Sequence, residues 1–192
     1  MLALITLIPG QDSKYLWSMA TGYVSIIFLA ATLIIGPLNV YAKKNNPISS
    51  DVRRDIGIWC GMTGVGHVII GSQVHMGNVW LYFFKAAGGE GRFQGRADIF
   101  GFANYSGLVA GIILLVLFLI SNDLSLRLFK AKRWKNIQRL NYLLFALVLA
   151  DGILYQVIEK RAFLIVTFFA LIMFFPIIAQ VIGFRLKRTE RS

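Results

Sequence analysis

The chain has 192 residues, of which 57% are hydrophobic, with a mean hydropathy of +0.66 and a formal net charge of +11. Apolar runs close to or above the roughly 18 residues that cross a bilayer recur along it, which leaves no room for a soluble domain. Cys60 is the only cysteine, so a disulfide framework and a thiolate metal site are both excluded.

Five apolar segments predict an all-α integral membrane bundle of five transmembrane helices. The predicted spans are 17–40, 56–76, 99–121, 137–158 and 162–184. The protein is therefore expected to be a multi-pass membrane protein.

The two ends of the chain lie outside the predicted bundle, which covers residues 17–184. Residues 1–16 are interpreted as an interfacial segment, because the apolar residues 1–9 are too short to span and lack the features of a signal peptide. Residues 185–192 form a basic tail.

The basic residues alternate between the two sides of the predicted membrane. Fourteen fall in the first-to-second connection, the third-to-fourth connection and the tail, whereas six fall on the opposite side. The positive-inside rule then places the N-terminus outside and the C-terminus in the cytoplasm. Topology thus accounts for most of the charge, and a nucleic-acid partner is not expected.

Two connections carry a pattern of their own. Residues 124–136 alternate apolar and basic side chains, which is typical of a short helix on an anionic leaflet, with a surface that docks a partner as the alternative. Residues 86–96 are rich in glycine but lack the flanking strand and helix of a phosphate-binding loop, so a flexible outer connection is predicted.

Two ionisable residues lie at nearly equal depth inside predicted spans. Asp151 is about 21 Å from the start of its helix and His67 about 18 Å from the same side, at 1.5 Å per residue. A charged group at that depth costs about 2.5–3.5 kcal/mol on insertion scales unless it is paired or hydrated. The two residues either pair with each other, with the second and fourth helices as neighbours, or each finds a nearby hydroxyl or amide. Such groups are offered by Asn104, Tyr105 and Ser106.

The second predicted helix is rich in glycine. Its glycines are Gly57, Gly61, Gly64, Gly66 and Gly71. Small residues let helix backbones approach each other closely, so close helix packing is the simpler interpretation. A histidine among such glycines is also typical of a haem ligand on a closely packed helix.

Three stretches of the chain resemble the ferric reductase-like transmembrane domain family, and most closely the haem-binding membrane subunits of bacterial periplasmic methionine sulfoxide reductase systems. They are TGYVSIIFLAATLIIGPLNVYAKK, RRDIGIWCGMTGVGHVIIG and KRWKNIQRLNYLLFALVLADGILY, and the resemblance covers about residues 20 to 160. It implies a helical bundle that binds b-type haem and passes electrons across the bilayer. The membrane that it implies is a bacterial inner membrane or an equivalent energy-transducing membrane.

The resemblance also implies two fourth-helix histidines thirteen residues apart, and this sequence has Gln138 and Asp151 at those positions. His67 keeps the family residue, whereas His75 matches no ligand position. Haem held between two histidines is therefore not expected. The cofactor prediction is at most one tetrapyrrole, haem b or a chlorin, with His67 as its axial ligand and metal contact.

Three functions follow from these residues. The first is an accessory subunit that packs with other membrane subunits in a redox or photosynthetic complex. The second is a single-haem electron-transfer subunit in which His75 or Tyr105 supplies a second ligand, and the third is a proton or ion relay through His67 and Asp151. The sequence offers no flavin or nicotinamide site, so catalytic activity of the chain on its own is not expected, and any reductase chemistry lies in another chain.

Overall fold

The computed structural model describes residues 10–42, 48–86 and 92–189 and is mostly helical. The elements, numbered along the chain, are α1 Ser13–Tyr41, α2 Ile48–Gly71, α3 Trp80–Phe83, β1 Phe84–Ala86, β2 Phe93–Gly95, α4 Ile99–Leu119, α5 Asp123–Gln138, α6 Leu140–Ile158 and α7 Phe163–Thr189.

Four helical stretches are long and apolar enough to cross a membrane. They are Ser13–Tyr41, Ile99–Leu119, Arg133–Ile158 and Phe163–Thr189. Four such stretches make this a multi-pass membrane protein. The segment predicted as the second span lies mainly in α2, which has 24 residues. Its glycines, His67 and the charged side chains of its first turns lower the hydropathy of this helix. A fifth span therefore stays a prediction.

Several boundaries differ from those predicted. The first helix begins at Ser13, and residues 1–9 of the predicted interfacial segment lie outside the described residues. The last helix continues to Thr189, so much of the predicted tail is helical. α2 ends at Gly71, and residues 72–76, which were predicted to be helical, form turns and a bend instead.

The two patterned connections also have defined structures. The predicted surface helix is α5, but Lys130 has φ 57° and ψ 153°, so two short helices meet there at a kink. The glycine-rich connection was predicted to be flexible, yet β1 and β2 pair antiparallel at its ends, with Lys85 opposite Gln94. Residues 87–91 between these strands lie outside the described residues.

The long helices pack as a ring. α1 lies between α2 and α7, and α4 lies between α2 and α6, while α6 makes smaller contacts with α1 and α7. α2 and α6 are not among the helix pairs with substantial contact in the described part of the chain, so the prediction that they are neighbours was wrong. Instead, α4 separates them.

Close packing of α4 on α2 depends on two glycines. A Cβ atom added at Gly61 would lie 2.5 Å from the ring of Phe118, and one at Gly64 would collide with Leu114. These side chains of α4 therefore occupy the glycine surface of α2. Buried apolar residues of the long helices form the core of the bundle. They are Leu29, Cys60, Ala110, Leu117 and Leu144.

The Gly61→Ala variant is expected to unfold at lower temperature than the wild type. Its methyl group would overpack against Phe118, which costs about 1–3 kcal/mol. Gly57→Ala is the matched control on the same helix, because no atom lies within 4 Å of its added Cβ, and alanine favours the helix by up to about 1 kcal/mol. Thermal unfolding in one detergent compares them, and equal melting temperatures would contradict the packing.

Asp98 links the β1–β2 hairpin to the start of α4 through hydrogen bonds. Its carboxylate accepts the backbone N–H of Gly101 at 2.7 Å and the guanidinium of Arg96 at 3.1 Å. The hydrogen bond from Arg96, followed by that from Gly101, lowers the pKa of Asp98. Since the folded-state pKa is depressed, this contribution to stability is complete above the pKa of the unfolded chain and is lost as pH falls through the folded pKa.

Asp98→Asn is therefore expected to lower the melting temperature near neutral pH and to have little effect in acid. The measurement is the difference in melting temperature between wild type and variant from about pH 7 to about pH 2, which begins above and ends below the ordinary pKa of an aspartate. A difference that grows as pH falls would contradict the assigned sign.

Candidate functional site

His67 lies on the side of α2 that faces α1. Its Nδ1 atom is 2.8 Å from the carbonyl oxygen of Ser18 and 3.4 Å from the hydroxyl of Ser18. The ring packs on Gly22, where an added Cβ would lie 2.9 Å from Nδ1. When Nδ1 carries the proton and donates it to the carbonyl, Nε2 keeps its lone pair and can bind a metal.

Asp151 lies on α6 and faces α4 at a different place. Its Oδ1 atom is 3.1 Å from where a Cβ would stand at Gly107. Asp151 has no hydrogen bond or ion pair with any of the described residues. The glycine at position 107 provides the room that the carboxylate occupies.

His67 and Asp151 do not form the direct pair that equal depth suggested. The ion pairs found among the described residues, at up to 4 Å between nitrogen and oxygen, do not include them. α4 lies between their helices, so His67 takes its partner from α1. The alternative partners of Asp151 are not used either, because the hydroxyl of Tyr105 and the amide of Asn104 donate to carbonyl oxygens at positions 83 and 100.

Gln138 ends α5 and lies at the junction with α6. Its Oε1 atom accepts a hydrogen bond of 3.3 Å from the amide of Asn141. Together with Gly57, Cys60 and Phe118 it lines a cavity of about 20 Å³. This space holds about one water molecule, whereas sites for drug-sized ligands occupy roughly 300–1,000 Å³.

His75 and Tyr105 do not face His67. His75 follows α2, and its Nε2 atom lies 3.0 Å from the Glu159 carboxylate. Its ring stacks on that of Tyr155 at 5.9 Å between centroids. The hydroxyl of Tyr105 donates to the carbonyl of Phe83 at 2.7 Å. Both residues therefore already have partners elsewhere.

The contacts of His75 define a cluster that the sequence analysis missed. We call Tyr15, His75, Tyr155 and Glu159 the end cluster; it lies where α1 begins and α6 ends. The hydroxyl of Tyr15 donates to the second oxygen of Glu159 at 3.2 Å, and that of Tyr155 donates to Asn104 at 2.9 Å. Part of this cluster could have been predicted from the sequence, because the four-residue spacing of Asp151, Tyr155 and Glu159 places them on one face of a helix.

The fold and composition define the class as a multi-pass helical membrane protein. Among curated proteins, the chain is similar to the heme-binding subunit MsrQ of protein-methionine-sulfoxide reductase from Salmonella paratyphi B and from Salmonella newport. Each is 28% identical over 135 residues, which is 70% of this chain and 59% of the relative. The chain thus spans less than two thirds of the length of these relatives. No family model matches the chain, and no solved structure matches it.

The lack of direct contact between His67 and Asp151 leads to a prediction about energetic coupling. In a cycle of His67→Leu, Asp151→Leu and the double variant, the two free-energy changes are expected to add within about 0.5 kcal/mol. A second cycle of His75→Gln and Glu159→Gln is the control, because those side chains touch and should couple by about 0.5–3 kcal/mol. Chemical unfolding in one detergent gives the free energies, and coupling of His67 to Asp151 equal to that of the control would contradict the assignment.

Proposed function

We propose that this chain is a membrane redox subunit that holds one haem through Nε2 of His67 and acts together with another membrane subunit. The observation that carries the proposal is the hydrogen bond between Nδ1 of His67 and the Ser18 carbonyl. Such a bond fixes the ring and its tautomer in many metal-binding histidines. The similarity to MsrQ, whose name describes a heme-binding subunit, supports the same assignment.

The residues present can supply one protein ligand to a haem iron but not two. Asp151 and Gln138 stand where the resemblance implies histidines, and carboxylates and carboxamides are not among the usual ligands of b-type haem iron. The space beside Gln138 is about 20 Å³ and is lined by residues of α1, α2, α4 and the junction of α5 with α6. This level of the bundle therefore offers neither an imidazole nor room for a porphyrin.

A haem held in this way would supply one-electron chemistry, and the chain would supply its position. Ser18 orients His67, and Gly22 provides the surface on which the imidazole ring of His67 lies. The described residues include no candidate site for flavin or nicotinamide, and we assign the donor and the acceptor of electrons to partner chains.

We also propose the orientation with the N-terminus outside and the C-terminus in the cytoplasm. The fourteen-to-six division of basic residues supports it. In this orientation α5 lies at the cytoplasmic surface and the end cluster at the outer surface. The membrane would then be a bacterial inner membrane or its equivalent.

The haem content of the purified protein tests the proposal. Protein made under haem-replete conditions is expected to bind one haem per chain with a high-spin spectrum, because one protein ligand leaves the sixth position of the iron without an imidazole. His67→Ala should lose the haem, whereas the control His75→Ala should retain it. Pyridine haemochrome analysis gives the stoichiometry and the absorption spectrum gives the spin state.

Three results would overturn the single-ligand assignment. They are two haems per chain, a low-spin spectrum typical of two imidazoles, and a colourless wild type. Gln138→His provides a further check, because the small cavity beside it should prevent binding of an added haem even when an imidazole is present.

A further inference from the structure

A line of ionisable side chains follows one face of α6 from its middle to its end. Asp151, Tyr155 and Glu159 are spaced by four residues, so each step along the helix rises about 6 Å. Glu159 caps the helix and Asp151 lies about 10 Å before its last residue. The line therefore connects the interior of the bundle with the end at which α6 stops.

Residues from three other elements complete this line. His75, from the connection after α2, stacks on Tyr155 and contacts Glu159 at 3.0 Å. The side-chain oxygen of Asn104, from α4, accepts a hydrogen bond from the Tyr155 hydroxyl at 2.9 Å. Tyr15, from α1, donates to Glu159 at 3.2 Å. Asn104 thus orients the Tyr155 hydroxyl, while His75 and Glu159 are groups that can hold a proton.

The two ends of the line differ in access to solvent. The side chains of His75 and Glu159 are 26% and 18% exposed, so protons can reach them from the surface. On the other side of Asp151, the apolar core with Leu117 and Leu144 lies before the small cavity beside Gln138. A proton at Asp151 therefore has a polar route towards one end only.

We propose that Asp151 exchanges protons with the surface at the end cluster, through Tyr155 and the His75–Glu159 pair. The site binds a proton and needs no haem, so it does not depend on the proposed redox function. The apolar core blocks the opposite route, and we therefore infer one-sided exchange rather than conduction across the membrane.

The transfer balances with the groups present. The O–H bond of the Asp151 carboxyl breaks, and its proton passes to the oxygen of Tyr155 once that hydroxyl has turned from Asn104. The original hydroxyl proton of Tyr155 moves to His75 or Glu159 and then to bulk water. The reverse sequence reprotonates Asp151, and no electron or co-reactant is consumed.

Other titratable or charged groups surround the route and set its electrostatics. They are Tyr15 from α1, Tyr82 from α3, Arg96 before α4 and Arg161 after α6. Tyr82 accepts the backbone N–H of His75 at 2.9 Å, and Arg96 lies 4.8 Å from the ring centre of Phe100. Arg161 is close enough to act on the charge of Asp151. Its Nε atom is buried without a hydrogen-bond partner among the described residues.

Infrared spectroscopy of the full chain in a lipid film tests the proposal. The carboxylic-acid C=O band of Asp151 is identified by its loss in Asp151→Asn, and its shift is followed after a change to deuterated buffer. Tyr155→Phe removes the relaying hydroxyl, and the double variant His75→Gln with Glu159→Gln removes both acceptors at the surface. Each is expected to slow exchange about tenfold or more, as expected for loss of a positioned proton-transfer group.

Two controls separate the route from general effects on folding. Tyr142→Phe removes a hydroxyl elsewhere on α6, where it lies 3.5 Å from Gln180. Asp55→Asn removes an exposed carboxylate on α2, outside the line. Both should exchange as the wild type does, and all variants are checked by thermal unfolding. A rate equal to the wild type in either Tyr155→Phe or the double variant of His75 and Glu159 would overturn the proposal. So would the absence of an Asp151 band from about pH 4 to about pH 9, which covers the range of buried carboxyl groups.

Discussion

The packing of α2 between α1 and α4 is the constraint on which the rest of the bundle depends. Gly61 and Gly64 let α4 approach α2, and Gly22 lets α1 approach His67. Lipid provides little hydrophobic driving force between helices, so such close contacts hold the bundle together. They also determine which polar groups can meet: α4 keeps Asp151 away from α2, while α1 brings a carbonyl oxygen to His67.

Sequence reasoning succeeded for properties that belong to a single segment of the chain. Four of the five predicted spans correspond to apolar helices, because length and hydropathy are properties of a single segment. The boundaries at Ser13 and Thr189 moved outward, since amphipathic ends such as Lys14 and Arg185 continue a helix beyond its apolar part. Those ends cannot be read from hydropathy alone.

The candidate site was less predictable, because it depends on the order of helices around the ring. Depth along a helix placed His67 and Asp151 at one level, but depth gives no direction around the helix axis. The hydrogen bond of His67 to a backbone carbonyl was not predictable from residue types, since every residue of α1 has such a carbonyl. In contrast, the spacing of Asp151, Tyr155 and Glu159 was visible in the sequence. Its meaning became clear only with His75 in the adjacent turn.

Gln138 and Asp151, the two positions at which the family resemblance implies histidines, differ in their surroundings. Gln138 lies beside a cavity of about 20 Å³ next to the apolar core, and its side chain bonds to Asn141. Asp151 lies against Gly107 and begins a line of polar side chains that reaches the end cluster. A neutral amide is compatible with the first environment because it needs few partners there. A carboxylate suits the second because neighbouring groups can deliver and remove its proton, which avoids the cost of a permanent buried charge. Packing therefore accounts for the glutamine at position 138, whereas the proposed proton exchange accounts for the aspartate at position 151.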